Sequence, residues 1–429
     1  MPKECTIFWF RRDLRLEDNV GLYHALESDF SVLPIFIFDP KILEELPQDD
    51  PRVGFIYSRL EKMQTTLNAY DTSIEVKHSE PLTAFKELSK DFKIKHIVTN
   101  RDYEPYARQR DSEIKTWAEE NDITFTTYKD QVIFEIDEVV KQDGLPYTVY
   151  TPYKNKWLET FNASPEKPVS KLDLNNFLKH RAALPSLGNL GFKESEIKVP
   201  EIDLSVVSDY AKTRDYPAQE GTSHIGPHLR FGTVGIRSIV AKVKDKEGTY
   251  LSELIWREFF MQILYHYPKV ISNNFRAKYD GIQWRNNKED FKKWCHGETG
   301  YPMVDAGMRE LNQTGYMHNR VRMVVASFLC KHLLIDWQWG EAYFATKLLD
   351  YELAANNGNW QWAAGTGCDA APYFRIFNPT SQLEKFDKHK KYIHKWIPEY
   401  GTDQYPSPMV DHKEARERAL AAYKKGIEN

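Results

Sequence analysis

The chain has 429 residues, 41% of them hydrophobic and 14% aromatic, enough apolar side chain for two or more folded domains, which excludes a disordered or low-complexity polypeptide. A formal net charge of −4 excludes nucleic-acid binding through the overall field, so any such partner must meet a local basic surface. Cys5, Cys295, Cys330 and Cys368 are too scattered for a zinc knuckle or a CxxC redox pair; they read as buried thiols of a reducing compartment, and no metal site is expected.

At the N-terminus, MPKECTIFWFRRD offers too short an apolar run for a signal peptide, and no later run reaches the roughly 18 apolar residues of a membrane span, so a cytoplasmic protein without a membrane partner is expected. Apolar runs at 6–10, 32–38, 74–77 and 96–99 alternate with amphipathic stretches at 54–70 and 105–120, which predicts an α/β domain with a parallel sheet over 1–130. Before Gly144 the only glycines are Gly21 and Gly54, so this Rossmann-like sheet lacks a GxGxxG phosphate loop, and a dinucleotide must bind elsewhere. Over 131–205 the periodicity fades, and Pro146, Pro152, Pro165, Pro168, Pro185 and Pro200 interrupt it, which predicts an interdomain linker wrapped over the surface.

From 206 to 429 the pattern becomes helical, at 250–267, 304–312, 320–334 and 341–349, and predicts an all-α domain. Eight of the eleven tryptophans lie here, and size alone makes many of them core residues. The densest collection of amides, acids and tryptophans is DYELAANNGNWQWAAGTGCDAAPYFRIFNP, from Asp350 to Pro379. If 352–360 is helical, Glu352, Asn356 and Trp360 share a face suited to a flat ligand with a polar edge. Gly358 costs such a helix about 1 kcal/mol relative to alanine, and the sequence offers no packing gain in return.

In ELIWREF, the spacing of Glu253, Trp256 and Arg257 puts a carboxylate, an indole and a guanidinium on one face. The pattern alone favours the plainer reading, an intrahelical Glu253–Arg257 pair worth about 0.3–0.5 kcal/mol. In GYMHNRVRM, Asn319, Arg322 and Met323 share a face in the same way, and two such faces suit an unstacked nucleobase. Thr222 and Ser223 precede a predicted helix, as either an anion site or an ordinary cap. Lys385, Lys388, Lys390 and Lys391 beside aromatics are a weak nucleic-acid signal, since most lysine runs are simply solvated.

Taken together, WFRRDLRLEDN, TSHIGPHLRFG, ELIWREF, TGYPMVDAGMRELNQTGYMHNRVRM and the 350–379 stretch resemble the photolyase and cryptochrome family, most closely the class I cyclobutane pyrimidine dimer (CPD) photolyases, over almost the whole chain. The resemblance implies FAD, reduced to FADH− in its active form, held in a U shape by the helical domain. It places Tyr210, Thr222, Ser223 and Ile225 around the phosphates, Arg257 as an anchor, and His224, Gly226, Tyr250 and Glu352 within the same cofactor site. Asp350 and Arg322 match the family's ion pair beside the isoalloxazine, and Asn356 matches the residue facing N5, where plant cryptochromes carry aspartate.

The implied activity is light-driven DNA repair, in which an electron passes from the excited reduced flavin to a flipped-out thymine dimer, the cyclobutane ring splits, and the electron returns. Glu253 and Asn319 would hydrogen-bond the dimer, Trp256 and Trp362 would flank it, and Met323 would floor the pocket, while Arg214, Arg320 and Gln382 would touch the DNA strand. Trp360, Trp337 and Trp284 match the family's electron-conducting tryptophans. A monomer acting on dimer-containing DNA is expected.

The chain departs from the family's pattern at Gly226, where serine is usual, and at Glu352, where aspartate is usual. In the stretch that aligns with a folate antenna loop, Arg101 replaces a glutamate; a folate antenna is not supported, and a deazaflavin, a second flavin or an empty groove stay open. The alternatives are a cryptochrome-type blue-light signalling receptor, a (6-4) photolyase with a histidine pair at the lesion, and a light-independent flavin oxidoreductase. The missing glycine-rich loop counts against the last.

Overall fold

The computed structural model describes residues 3–169, 172–246 and 248–428. The chain divides into two compact units, one of Met1–Glu138, Leu158–Ile202 and His224–Asp245, the other of Val139–Trp157, Asp203–Ser223 and Lys246–Asn429.

The first unit is built on a parallel sheet of β1 (Lys3–Phe10), β2 (Val32–Phe38), β3 (Glu75–His78), β4 (Phe92–Asn100) and β5 (Thr124–Tyr128), in the order β3-β2-β1-β4-β5. Strands buried on both faces read as continuous apolar runs, and all seven residues of β2, VLPIFIF, are buried. β5 has no such run: its TFTTY is half-buried at the sheet edge, and the apolar pattern gave no sign of it. Helices Pro51–Leu67 and Pro105–Glu120 match the two amphipathic stretches, and in each proline stands where its missing N–H costs nothing.

The expected boundary at 206 differs from this division, because 224–245 belongs with the sheet. Arg237 bonds Asp18 at 2.9 Å and Asp130 at 2.7 Å, and Arg15 bonds Asp130 at 2.7 Å, all four residues being buried. Removing one partner of such a buried network strands a charge, at a cost of about 3–5 kcal/mol. Arg15 and Asp18 of WFRRDLRLEDN are thus part of what fixes this segment.

The 131–205 stretch also departs from the expected linker, since it contains the helix Tyr150–Ala163, which starts in the second unit. Tyr153 and Trp157 are buried there and donate to the Glu258 carboxylate at 3.2 and 2.7 Å. Prolines and scattered lysines hid a helix held by its aromatic face.

The second unit is helical. Gly248–His266, Pro302–Thr314, Asn319–Ser327, Trp337–Lys347 and Leu353–Ala364 surround a core that includes Trp294, Met303, Phe328, Trp337 and Trp360. The helix expected over 320–334 ends at Ser327 and continues as a wider π turn, Phe328–His332. The four cysteines are free and buried. Among the described residues no helix is long and apolar enough to cross a membrane, and no cluster of potential metal ligands occurs.

Candidate functional site

The site is organised by Leu353–Ala364. Its first turn is capped by Glu352, whose carboxylate accepts from Ala355 N at 3.0 Å, so this acid satisfies a helix terminus. The last turn closes at Gly365, whose φ of +85° is open to glycine. Ala364 O is then met by Lys331 Nζ at 2.6 Å and Tyr423 Oη at 2.7 Å. Gly358 has the packing reason that the sequence did not reveal: a Cβ there would lie 2.1 Å from the Phe260 ring.

One face of this helix walls a cavity of about 140 Å³ together with Asn319, Arg322, Met323, Asp350 and Phe344. Asn356 donates to Glu341 Oε1 at 2.9 Å and to Glu341 O at 3.1 Å, which engages its amide nitrogen and leaves its carbonyl end clear of that residue. Burial raises the Glu341 carboxyl above its ordinary range, against the lowering effect of the Asn356 bond. Arg322 Nη2 lies 3.0 Å from Asp350 Oδ2 and its Nε 2.7 Å from Met317 O. Burial opposes the charge on Arg322, yet Asp350 outweighs it and raises the guanidinium above its usual value. Asp350 Oδ1 is buried without a hydrogen-bond partner.

A second cavity of about 320 Å³ lies beside the first, lined by Arg214, Glu253, Trp256, Arg257, Phe260 and, shared with the first, Asn319, Met323 and Trp362. Glu253 pairs with Arg214 at 2.5 Å, which replaces the intrahelical partner, Arg257, that the spacing suggested. Trp256 stacks on Tyr150 with ring centroids 3.6 Å apart and planes 8° apart, which fixes the indole as one wall. Tyr150 is held in turn by Ser252 O at 2.7 Å and by Asp369, which accepts from its backbone N–H. Arg320 bonds Asp215 at 2.7 Å over the Phe386 ring, and Gln382 lies on the same helix as that ring. Lys385, Lys388, Lys390 and Lys391 are exposed, the first and third beside Phe386 and Tyr400.

In the same unit, Ser223 Oγ bonds Tyr250 Oη at 2.7 Å, Thr222 bonds Tyr316 Oη at 2.9 Å, and Tyr210 meets Tyr250 edge to face. Neither hydroxyl is a helix cap. The helix Ile225–Arg230 is capped by His224, with a φ of +52° and no side-chain cap bond, and His224, Ile225 and Gly226 belong to the sheet-bearing unit.

The three predicted tryptophans differ in setting. Trp360 is buried, and its ring neighbours among the described residues are Phe344 at 5.0 Å and Trp294 at 6.2 Å. Trp337 is buried and donates to Asn274 at 2.9 Å, while Trp284 is partly exposed and meets Tyr423 edge to face at 5.8 Å. Sequence reasoning missed Glu341, Tyr150, Tyr316 and Asp215. Each serves a residue on another element, so no periodicity within its own segment marks it.

The lining of the first cavity fits the ring of FAD: Asp350, Arg322 and Asn356 supply a carboxylate, a guanidinium and an amide beside Trp360, Phe344, Leu348 and Ala363, as a flat ring with a polar edge requires.

Residues 6–171 match the family model described as DNA photolyase, and residues 250–402 that described as FAD binding domain of DNA photolyase. A deoxyribodipyrimidine photo-lyase of Halobacterium salinarum is 34% identical, over 98% of this chain and 98% of its own length. A bacterial class III photolyase of Agrobacterium tumefaciens superposes with a TM-score of 0.88 at 32% identity, covering 100% of this chain and 99% of that one. The archaeal photolyase of Sulfolobus tokodaii, solved with two FAD molecules, gives 0.84 at 34% identity, over 98% and 99% of the two chains. This chain belongs to the DNA photolyase family.

Proposed function

We propose that this protein is a deoxyribodipyrimidine photo-lyase, which uses FAD and light to split cyclobutane pyrimidine dimers in DNA. The observation that carries the reading is the shared wall: Asn319, Met323 and Trp362 line both the cavity that fits a flavin and the wider groove beside it. A lesion in that groove is separated from the first cavity only by side chains, which satisfies the proximity that electron transfer needs.

FAD held here would, when bound and reduced, supply the light-excited electron for opening the cyclobutane ring. Around it, Arg322 and Asp350 bind the polar edge as an ion pair, and the carbonyl end of Asn356 accepts from an N–H donor because Glu341 orients the amide. Neutral Asn356 also adds no negative charge against a reduced, anionic ring. Tyr210, Thr222 and Ser223 are the proposed phosphate-end residues, Tyr250 belongs to the same cofactor site and Arg257 is a further anchor; the cofactor roles of His224, Ile225 and Gly226 rest on the resemblance alone. The cap at Ala355 explains Glu352 without the cofactor, and its place in that site rests on resemblance.

In the groove, Trp256 and Trp362 flank the dimer, Met323 fills the floor, and Glu253 and Asn319 supply hydrogen bonds that steady charge developing on the pyrimidine carbonyls. No histidine is among the described residues lining either cavity, which favours this lesion over the (6-4) product. Arg214, Arg320 and Gln382 meet the DNA strand, and Trp360, Trp337 and Trp284 return an oxidised cofactor to its working state. The protein acts as a monomer. In the antenna-loop stretch, Arg101 is paired with Glu135 at 2.8 Å, and nothing there favours folate. The decisive experiment is illumination of the reduced protein with an oligonucleotide bearing one thymine dimer; restoration of the thymines is expected, and none, with reduced flavin bound, refutes the reading.

A further inference from the structure

Both arginines proposed to meet the DNA strand are already bonded to carboxylates of this chain. Arg320 Nη2 lies 2.7 Å from Asp215 Oδ1, with its guanidinium 4.3 Å above the Phe386 ring. Arg214 Nη1 lies 2.5 Å from Glu253 Oε1, with its guanidinium 5.3 Å from the Tyr210 ring. Each cation sits on an aromatic seat, while a carboxylate takes one of its donors. A phosphate oxygen needs the same donors, since guanidinium forks bond carboxylate and phosphate alike.

Arg214 and Asp215 are consecutive, just beyond the short helix Tyr210–Thr213. One dipeptide therefore gives a cation to the Gly248–His266 helix, through Glu253, and an anion to the Asn319–Ser327 helix, through Arg320. These helices carry the two faces of the groove. Glu253 is itself a proposed lesion contact, so its pair must open for its own reasons. Asp215 lines neither cavity and has no such task. Its side chain, 41% exposed, is within reach of solvent and of an approaching strand.

We propose that Asp215 is an intramolecular competitor of DNA phosphate, an autoinhibitory contact that masks Arg320 and weakens the grip on any strand. The proposal rests on the photolyase reading of the groove. Binding to undamaged DNA is almost wholly phosphate neutralisation, so a masked arginine is lost from most of what such DNA offers. The same exchange helps a repaired strand leave, because Asp215 recaptures Arg320 once the groove empties. With a net charge of −4, the overall field does not draw DNA to the chain, so binding depends on local cations, and masking one of them has leverage.

The test is fluorescence anisotropy in the dark, using flavin-loaded protein with a labelled undamaged duplex and with the same duplex carrying one thymine dimer. Asp215→Asn is expected to tighten the undamaged duplex by roughly two- to fivefold, the range of a partly exposed ion pair. It should also steepen the dependence of log K on log salt by up to about 0.9, the increment of one freed cation. In an Arg320→Gln background the same substitution should change nothing. Unchanged or weaker binding by Asp215→Asn, or an equal gain without Arg320, overturns the proposal. The bound-flavin absorption spectrum reports whether each variant has kept its fold. Failure of the photolyase reading looks different: the unsubstituted protein then shows no preference for the dimer-bearing duplex.

Discussion

The side-chain amide of Asn356 is held by Glu341 through two bonds to one residue, 2.9 Å to its carboxylate and 3.1 Å to its backbone carbonyl. Both Glu341 atoms accept, so the NH2 end must face them and the oxygen must face away. Replacing Asn356 with aspartate sets acceptor against acceptor. We expect a loss of stability on the order of 1–3 kcal/mol, the cost of unmatched buried polar atoms. Burial already raises the Glu341 carboxyl, so the new pair retains a proton at low pH and repels at high pH. Thermal melts of the variant should therefore fall further below those of the parent at pH 8.5 than at pH 6.

Gly358 provides a test in which two effects oppose each other. Alanine gains about 1 kcal/mol in an unstrained helix, but its Cβ would meet Phe260 carbons at 2.1 and 2.4 Å. Phe260 in turn stacks near Trp256 at 5.4 Å and cannot retreat freely. Overpacking wins, and Gly358→Ala should lower stability by about 1–3 kcal/mol. Denaturant unfolding with an unchanged or raised midpoint would contradict this.

Trp337→Phe should abolish photoreduction of oxidised flavin while sparing repair by chemically pre-reduced protein. The indole N–H donates to Asn274 at 2.9 Å, so the variant also loses about 1 kcal/mol from one hydrogen bond. Trp294 is the control, because its ring lies 6.2 Å from Trp360 and offers the hole another place to go. Transient absorption of Trp294→Phe should show unaltered photoreduction. Loss in that variant, with retention in Trp337→Phe, would move the route.

Glu310 gives the folded state a pH signature. Burial pushes its carboxyl up to about 7 from 4.5, against the lowering effects of the Tyr392 and His318 bonds and of Lys395 and Arg322. Between pH 4.5 and 7 the folded chain keeps a proton that the unfolded chain has lost, so Glu310 makes stability fall as pH rises, by about 1.4 kcal/mol per unit at most. His318 acts oppositely: burial and then Arg322 bring it down to about 4, so it costs stability as pH falls below 6.5. Glu310→Gln should remove the decline between pH 4.5 and 7 and leave the opposing His318 contribution, so stability of the variant should rise more steeply with pH than that of the parent between about 4 and 6.5. Urea midpoints at half-unit pH steps across that window measure the difference in slope.

The parallel sheet, the helical second half and the family were legible in the chain. Buried strands must be apolar throughout, amphipathic helices must repeat every three to four residues, and the long strings around Glu253, Asn319 and Asn356 tolerate little chance similarity. The sequence also placed Asp350 with Arg322, and Asn319 with Met323, through the resemblance and the helical spacing. The choice of partners was set by folding. Spacing offered Arg257 to Glu253, but a surface pair within a helix is worth only tenths of a kcal/mol, and Arg214 from another segment took the carboxylate. Glu341 and Tyr150 reach Asn356 and Trp256 from other helices, and Phe260, not a ligand, accounts for Gly358. Segment 224–245 went to the sheet because Arg237 is buried against Asp18 and Asp130, more than a hundred residues away in sequence. Periodicity reports which face of an element is buried; it carries no record of what lies opposite.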